Sequence, residues 1–83
     1  MEMPKSLHAS RYKYLPPLLL EARKGAGLTQ RDLAKKLKMS QSIVHKSEIG
    51  ERRVDFAEFL DWCLACGVEP EKALRHLREL RGI

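Results

Sequence analysis

The chain has 83 residues, enough for one domain of modest stability. Its hydrophobic fraction of 43% and charged fraction of 33% describe a globule with a solvated surface rather than a disordered chain. The formal net charge of +5 points to an anionic partner and is unevenly placed: residues 1–53 hold twelve Lys/Arg against five Asp/Glu, and residues 54–83 hold four against six.

Residues 1–14 are expected to form an N-terminal arm and residues 15–83 a single helical domain. The first ten residues are polar and lack any apolar period. Arg11, Tyr12, Lys13 and Tyr14 form a basic-aromatic stretch, and at least one of the tyrosines is expected to pack on the domain. The apolar run Leu15–Leu20 is interrupted by Pro16 and Pro17 and is too short for a membrane span or a signal-peptide core, so a cytoplasmic protein is expected. Those prolines suit the opening turn of a helix, where a missing N–H costs nothing. Leu15, Leu19, Ala22 and Ala26 continue it as one apolar stripe, and Gly25 and Gly27 end it.

Thr29 is a good N-cap for a second helix, with Asp32 placed to serve its first turn, although Glu or Gln completes such a box better. Leu33, Ala34 and Leu37 form its inner face, leaving Arg31, Lys35 and Lys36 outside. Lys38 and Met39 make a short turn, and Ser40 caps a third helix that ends at Gly50 and buries Val44, flanked by Ile43 or Ser47. Asp55 caps a fourth helix, whose inner face is expected from Phe56, Phe59, Trp62 or Leu60, Cys63 and Cys66, with Gly67 as its stop. A fifth helix starts at Glu69-Pro70 and carries Leu74, Leu77 and Leu80 on its apolar side. No sustained apolar/polar alternation marks a strand.

The segment from Gly27 to Gly50 reads GLTQRDLAKKLKMSQSIVHKSEIG. It resembles the repressor/Cro-type (XRE-like) helix-turn-helix family, whose pattern is roughly G-L-T-Q-x-x-L-A-x-x-L-x-V-S-x-x-x-I-S-x-x-E-x-G. The resemblance extends from about Leu19 to Leu74. It implies an all-α, compact five-helix, lambda-repressor-like domain that binds double-stranded DNA, with no cofactor. Physical reasoning agrees with it. Two short helices joined by a tight turn cross steeply, Ala34 is small where their backbones approach, and the second helix can enter a major groove N-terminus first.

Contacts sort into those that position the protein and those that read bases. By the resemblance, Gln30 contacts a phosphate and braces the third helix, while Gln41 and Ser42 occupy base-reading positions. A Gln can bond adenine bidentately, and Ser suits several bases. Ser40 lies at the same helix start. Lys46 can reach a guanine or a phosphate. His45 stands where a small hydroxyl residue is usual, and a phosphate neighbour is a better reading of it than a proton switch. Arg52 and Arg53 in the next loop are candidates for backbone contacts. Arg23 and Glu48 occupy positions that the family joins by an ion pair, tying the first helix to the third. Two residues depart from the pattern. Ser47 replaces a core apolar residue, and Ile49 replaces a polar one; Ile49 either packs inward or is exposed to DNA sugars or a partner chain.

Other chemistry finds little support. Two cysteines, Cys63 and Cys66, make no disulfide framework; their C-x-x-C spacing falls on an apolar stripe, which favours core packing over metal or redox sensing. Zinc needs four ligands, and only His8, His45 and His76 could join the two thiols. Ser40, His45 and Glu48 are close in sequence, but Ser40 is used as a cap and no oxyanion site or glycine-rich phosphate loop accompanies them, so no enzyme is expected. Leu74, Leu77, Leu80 and Ile83 extend the apolar surface further than one core needs, which suggests a homodimer through the C-terminal helix. Arg75, Arg78 and Arg81 read as a solvated edge. The expected function is a sequence-specific transcriptional regulator, most simply a repressor; the alternative is a protein-interaction module, such as an antitoxin whose main role is binding a partner protein.

Overall fold

The cap residues decide where the chain turns helical. Residues 12–80 are described by a computed structural model, and they contain five helices in chain order: α1 (Leu15–Gly25), α2 (Gln30–Leu37), α3 (Gln41–Glu48), α4 (Phe56–Ala65) and α5 (Pro70–Leu80). No strand occurs among the described residues. Pro16 and Pro17 sit in the first turn of α1. At α2, Thr29 Oγ1 accepts from the Asp32 amide at 3.0 Å and the Asp32 carboxylate accepts from the Thr29 amide at 3.0 Å. The shorter Asp thus completes a reciprocal box, and these bonds from Thr29 hold its carboxyl below the usual carboxylate range. Asp55 and Glu58 form a second box at the start of α4.

α1 packs on α3 and α4, α2 on α3 and α4, and α5 on α4. Leu19, Leu33, Val44, Phe59, Trp62, Cys63, Cys66 and Ala73 are buried together where these helices meet. Trp62 donates its indole N–H to the Leu19 carbonyl at 3.1 Å, so the largest core side chain also has its polar atom satisfied. Both thiols are buried, and burial pushes both Cys63 and Cys66 upward in pKa. In the native protein they are expected to react with a disulfide reagent such as dithionitrobenzoate far more slowly than after addition of denaturant. A thiol that reacts within seconds in the folded protein would overturn their assignment to the core.

Two apolar assignments, Ala26 and Phe56, differ from the sequence expectation. Ala26 is exposed because α1 ends at Gly25; Pro16, Leu19 and Arg23 are the buried side chains of that helix. Phe56 is 66% exposed. It is the first residue of α4, at the edge of an inward arc formed by Phe59, Trp62, Cys63 and Cys66, and Val54 is the buried residue at that end. Leu74 is also exposed, because α5 is buried through Ala73, where a small side chain allows close approach. Leu77 is half-buried. The side chain of Leu80, together with Arg81 and Ile83, lies outside the described residues, as do residues 1–11 with His8 and Arg11.

Candidate nucleic-acid interface

The angle of α3 is set first by the turn before it. Lys38 adopts the left-handed conformation (φ 56°), and Met39 donates its amide to the Ala34 carbonyl at 3.0 Å, so α2 stops within one residue. Ser40 then caps α3 by accepting from the Ile43 amide at 3.2 Å. Gly50, at φ +83°, reverses the chain after α3; a Cβ there would lie 3.6 Å from Pro16. α3 is therefore eight residues long and bounded on both sides.

Its two faces are chemically distinct. Val44, Ser47 and Glu48 are buried. Ser40, Gln41, Ser42, His45 and Lys46 are exposed, and Ile49 continues the same outer stripe at 51% exposure. The stripe offers amide, hydroxyl, imidazole and ammonium groups in two successive turns, followed by one apolar side chain. Of the two possibilities for Ile49, inward packing is not what occurs.

Ser47 takes the core position instead, with no exposed surface. Its hydroxyl donates to the Ile43 carbonyl at 2.7 Å and accepts from Arg52 Nη1 at 3.3 Å. A buried hydroxyl is tolerated here because both its donor and its acceptor capacity are used.

Beneath the stripe lies an ion-pair network. Arg23 Nε and Nη2 donate to the two Glu48 oxygens at 2.6 Å and 3.1 Å, and Arg23 Nη1 donates to the Leu28 carbonyl at 2.9 Å. The pair is 10% and 1% exposed at its side chains. The fork geometry joins α1 to α3 and, through Leu28, to the loop that leads into α2. Gln30, the first residue of α2, donates its amide to Glu48 Oε1 at 2.9 Å and lies 3.3 Å from His45 Nδ1. Glu48 is thus held from two helices at once.

The flanking arginines have different environments. Arg52 Nη2 lies 2.6 Å from Glu58 Oε2, and this guanidinium holds the Glu58 carboxyl below its usual range. Arg52 is therefore engaged with Glu58 and Ser47. Arg53 is exposed, and its guanidinium stacks 4.5 Å from the Tyr12 ring centroid. Tyr12 Oη accepts from the Val54 amide at 2.9 Å and reaches the Arg52 carbonyl at 3.4 Å. Tyr12 thus pins the loop after α3 to the segment before α1, a role no local pattern announces. Glu58 could have been found, since Asp55-x-x-Glu58 is a capping-box spacing. Among the described residues, no group of three or more His, Cys, Asp or Glu side chains comes together to hold a metal. No helix of the described residues is long and apolar enough to cross a membrane.

A family of helix-turn-helix domains matches residues 18–77. A solved structure, an XRE-family like protein from Pseudomonas syringae pv. tomato str. DC3000, is 46% identical and superposes with a TM-score of 0.83 over 92% of this chain and 93% of that one. The chain belongs to the XRE-like helix-turn-helix family. Comparison with curated proteins gives no match. The all-α fold of the described residues matches that of this XRE-like neighbour, and the chain is by its family a DNA-binding transcription regulator. In this XRE-like protein, α2 and α3 are two short helices joined by a tight turn at residues 38–40.

Proposed function

We propose that this protein is a sequence-specific regulator that inserts α3 into the major groove of double-stranded DNA, binds as a homodimer and represses by occupancy. The observation that carries this reading is the exposed stripe of hydrogen-bonding side chains on α3, held at a fixed angle by Glu48. Gln41, Ser42 and Lys46 read bases. Gln30, Ser40 and the α2 N-terminus contact phosphate, and Arg53 adds a backbone contact beside Ile49 and the DNA sugars. Arg52 contributes to the backbone contact only as far as its bond to Glu58 permits. A two-fold dimer through α5, with Leu74 at the contact, would place two copies of α3 about 34 Å apart, one turn of duplex. The protein acts in the cytoplasm on this reading.

A duplex selected from a random pool tests it. Affinity for that duplex should fall steeply with salt, by roughly 0.9 decade per decade of salt for each phosphate neutralised. Gln41→Ala and Lys46→Ala should each cost about 1–3 kcal/mol on the selected duplex and much less on random DNA. Equal losses on both duplexes would sink the assignment of α3 as the reader. One observation favours the partner-protein alternative: Phe56, Leu64 and Leu74 are exposed on α4 and α5, outside the α2–α3 pair. That alternative predicts that those residues, and not Gln41 or Lys46, govern activity.

A further inference from the structure

His45 differs from the other side chains of the α3 stripe in that each of its nitrogens, in a neutral ring, is either a donor or an acceptor and not both. A neutral imidazole has one donor and one acceptor nitrogen, and the partner of one decides what the other offers. Here the partner is Gln30. Its side-chain nitrogen lies 2.9 Å from Glu48 Oε1, a carboxylate that can only accept, so the amide NH2 must face α3 and its oxygen must face away. The same nitrogen lies 3.3 Å from His45 Nδ1. With one of its protons given to Glu48, the NH2 group has a second to give, and Nδ1 can take it only if it carries no proton. Glu48 is itself fixed by Arg23, which donates to it at 2.6 Å and 3.1 Å, so the acceptor that orients the Gln30 amide is held in place by a buried guanidinium.

We infer that Gln30 locks His45 in the Nε2–H tautomer, so that α3 presents a hydrogen-bond donor at position 45 to an acceptor atom of DNA, a guanine N7 or O6 or a phosphate oxygen. The inference rests on α3 being the helix that meets DNA. It gives Gln30 a function besides bracing: it sets the polarity of a neighbour on the reading face. A donor at position 45 discriminates against groups that are themselves donors, such as the adenine and cytosine amino groups in the major groove.

Side-chain isosteres separate the two nitrogens. Asn places its oxygen where Nδ1 stands and keeps the acceptor toward Gln30, but it loses the outward donor. Gln places its NH2 where Nε2 stands and keeps that donor. On the selected duplex, His45→Asn should weaken binding about tenfold, whereas His45→Gln should stay within about threefold of the parent. Histidine 15N spectra of the free full-length protein, taken with neutral imidazole, should show His45 as the Nε2–H tautomer, and Gln30→Ala should raise the share of the other form. These spectra need neither DNA nor a His45 variant. An Nδ1–H tautomer in the parent, or an affinity order in which His45→Asn binds better than His45→Gln, overturns the inference. Gln41→Ala and Lys46→Ala measured alongside tell the two failures apart. If they lose affinity and His45→Asn does not, the assignment of His45 alone is wrong; if none of the three loses affinity, α3 is not the reader and the inference falls with it.

Discussion

Glu48→Ala should lower the unfolding free energy by about 3–5 kcal/mol and abolish preference for the selected duplex. The size follows from what the carboxylate holds. It accepts two bonds from Arg23 and one from Gln30, and its side chain is 1% exposed. Without it, the Arg23 guanidinium keeps one bond to the Leu28 carbonyl and no counter-charge, in a site that admits little water. A domain of this length has a total stability of roughly 4–12 kcal/mol, so the loss is a large share of the whole. Tm should fall by well over about 10 °C. A drop of a few degrees would show that water reaches Arg23 and that the pair is effectively a surface bridge.

The same reasoning gives a sharper test. Replacing both charges by apolar groups, Arg23→Met with Glu48→Leu, removes the uncompensated charge and should return stability to within about 1 kcal/mol of the parent or above it. DNA preference should not return with it, because Gln30 would still lack the carboxylate that orients its amide toward α3. Stability and recognition would then separate in one double variant, as expected if the pair serves orientation more than net stability. Thermal melts and binding curves on the parent, Arg23→Met, Glu48→Leu and the double variant complete the cycle.

How much of this was legible beforehand varies with the kind of signal. Caps at Thr29, Ser40 and Asp55 could be read because a single side chain and the residue three positions on determine them. Only the resemblance joins Arg23 to Glu48, since nothing local links two residues 25 positions apart. Periodicity points Phe56 inward and leaves Leu74 on an apolar side shared between core and dimer contact, because it fixes only a broad arc. At Phe56 the helix has barely begun, and at Leu74 the small Ala73 defines the contact instead. Ser47 was legible as a departure but not as a solution. Its burial depends on the Arg52 guanidinium, whose own position depends on Glu58 in the next helix. Likewise, the link from Gln30 to His45 exists only once α2 and α3 are packed. Interactions that need two or three elements to be in place leave no mark on any one of them.

Trp62→Ala should be the most damaging apolar substitution, at about 3–5 kcal/mol. Trp62 is 1% exposed, is the largest fully buried side chain and donates its indole N–H to the Leu19 carbonyl of α1. Truncation leaves a cavity between α1 and α4 that the neighbouring Leu19, Phe59 and Cys63 can only partly fill. Trp62→Phe keeps most of the packing and loses the hydrogen bond, so it should cost about 1–2 kcal/mol. The Leu19 carbonyl lies on the helix that also carries Arg23. Holding α1 against α4 therefore also places the guanidinium that positions Glu48, and through it α3. If that is how the scaffold serves the reader, Trp62→Phe should bind the selected duplex within about threefold of the parent wherever it is folded, and Trp62→Ala should lose binding in step with its loss of structure. The chain has one tryptophan, so indole fluorescence reports the folding of the parent and of every variant that keeps Trp62, while helical dichroism follows Trp62→Ala and Trp62→Phe. Binding that disappears in Trp62→Phe while its helices and melting temperature stay near those of the parent would show that Trp62 acts on α3 by a route other than the α1 scaffold.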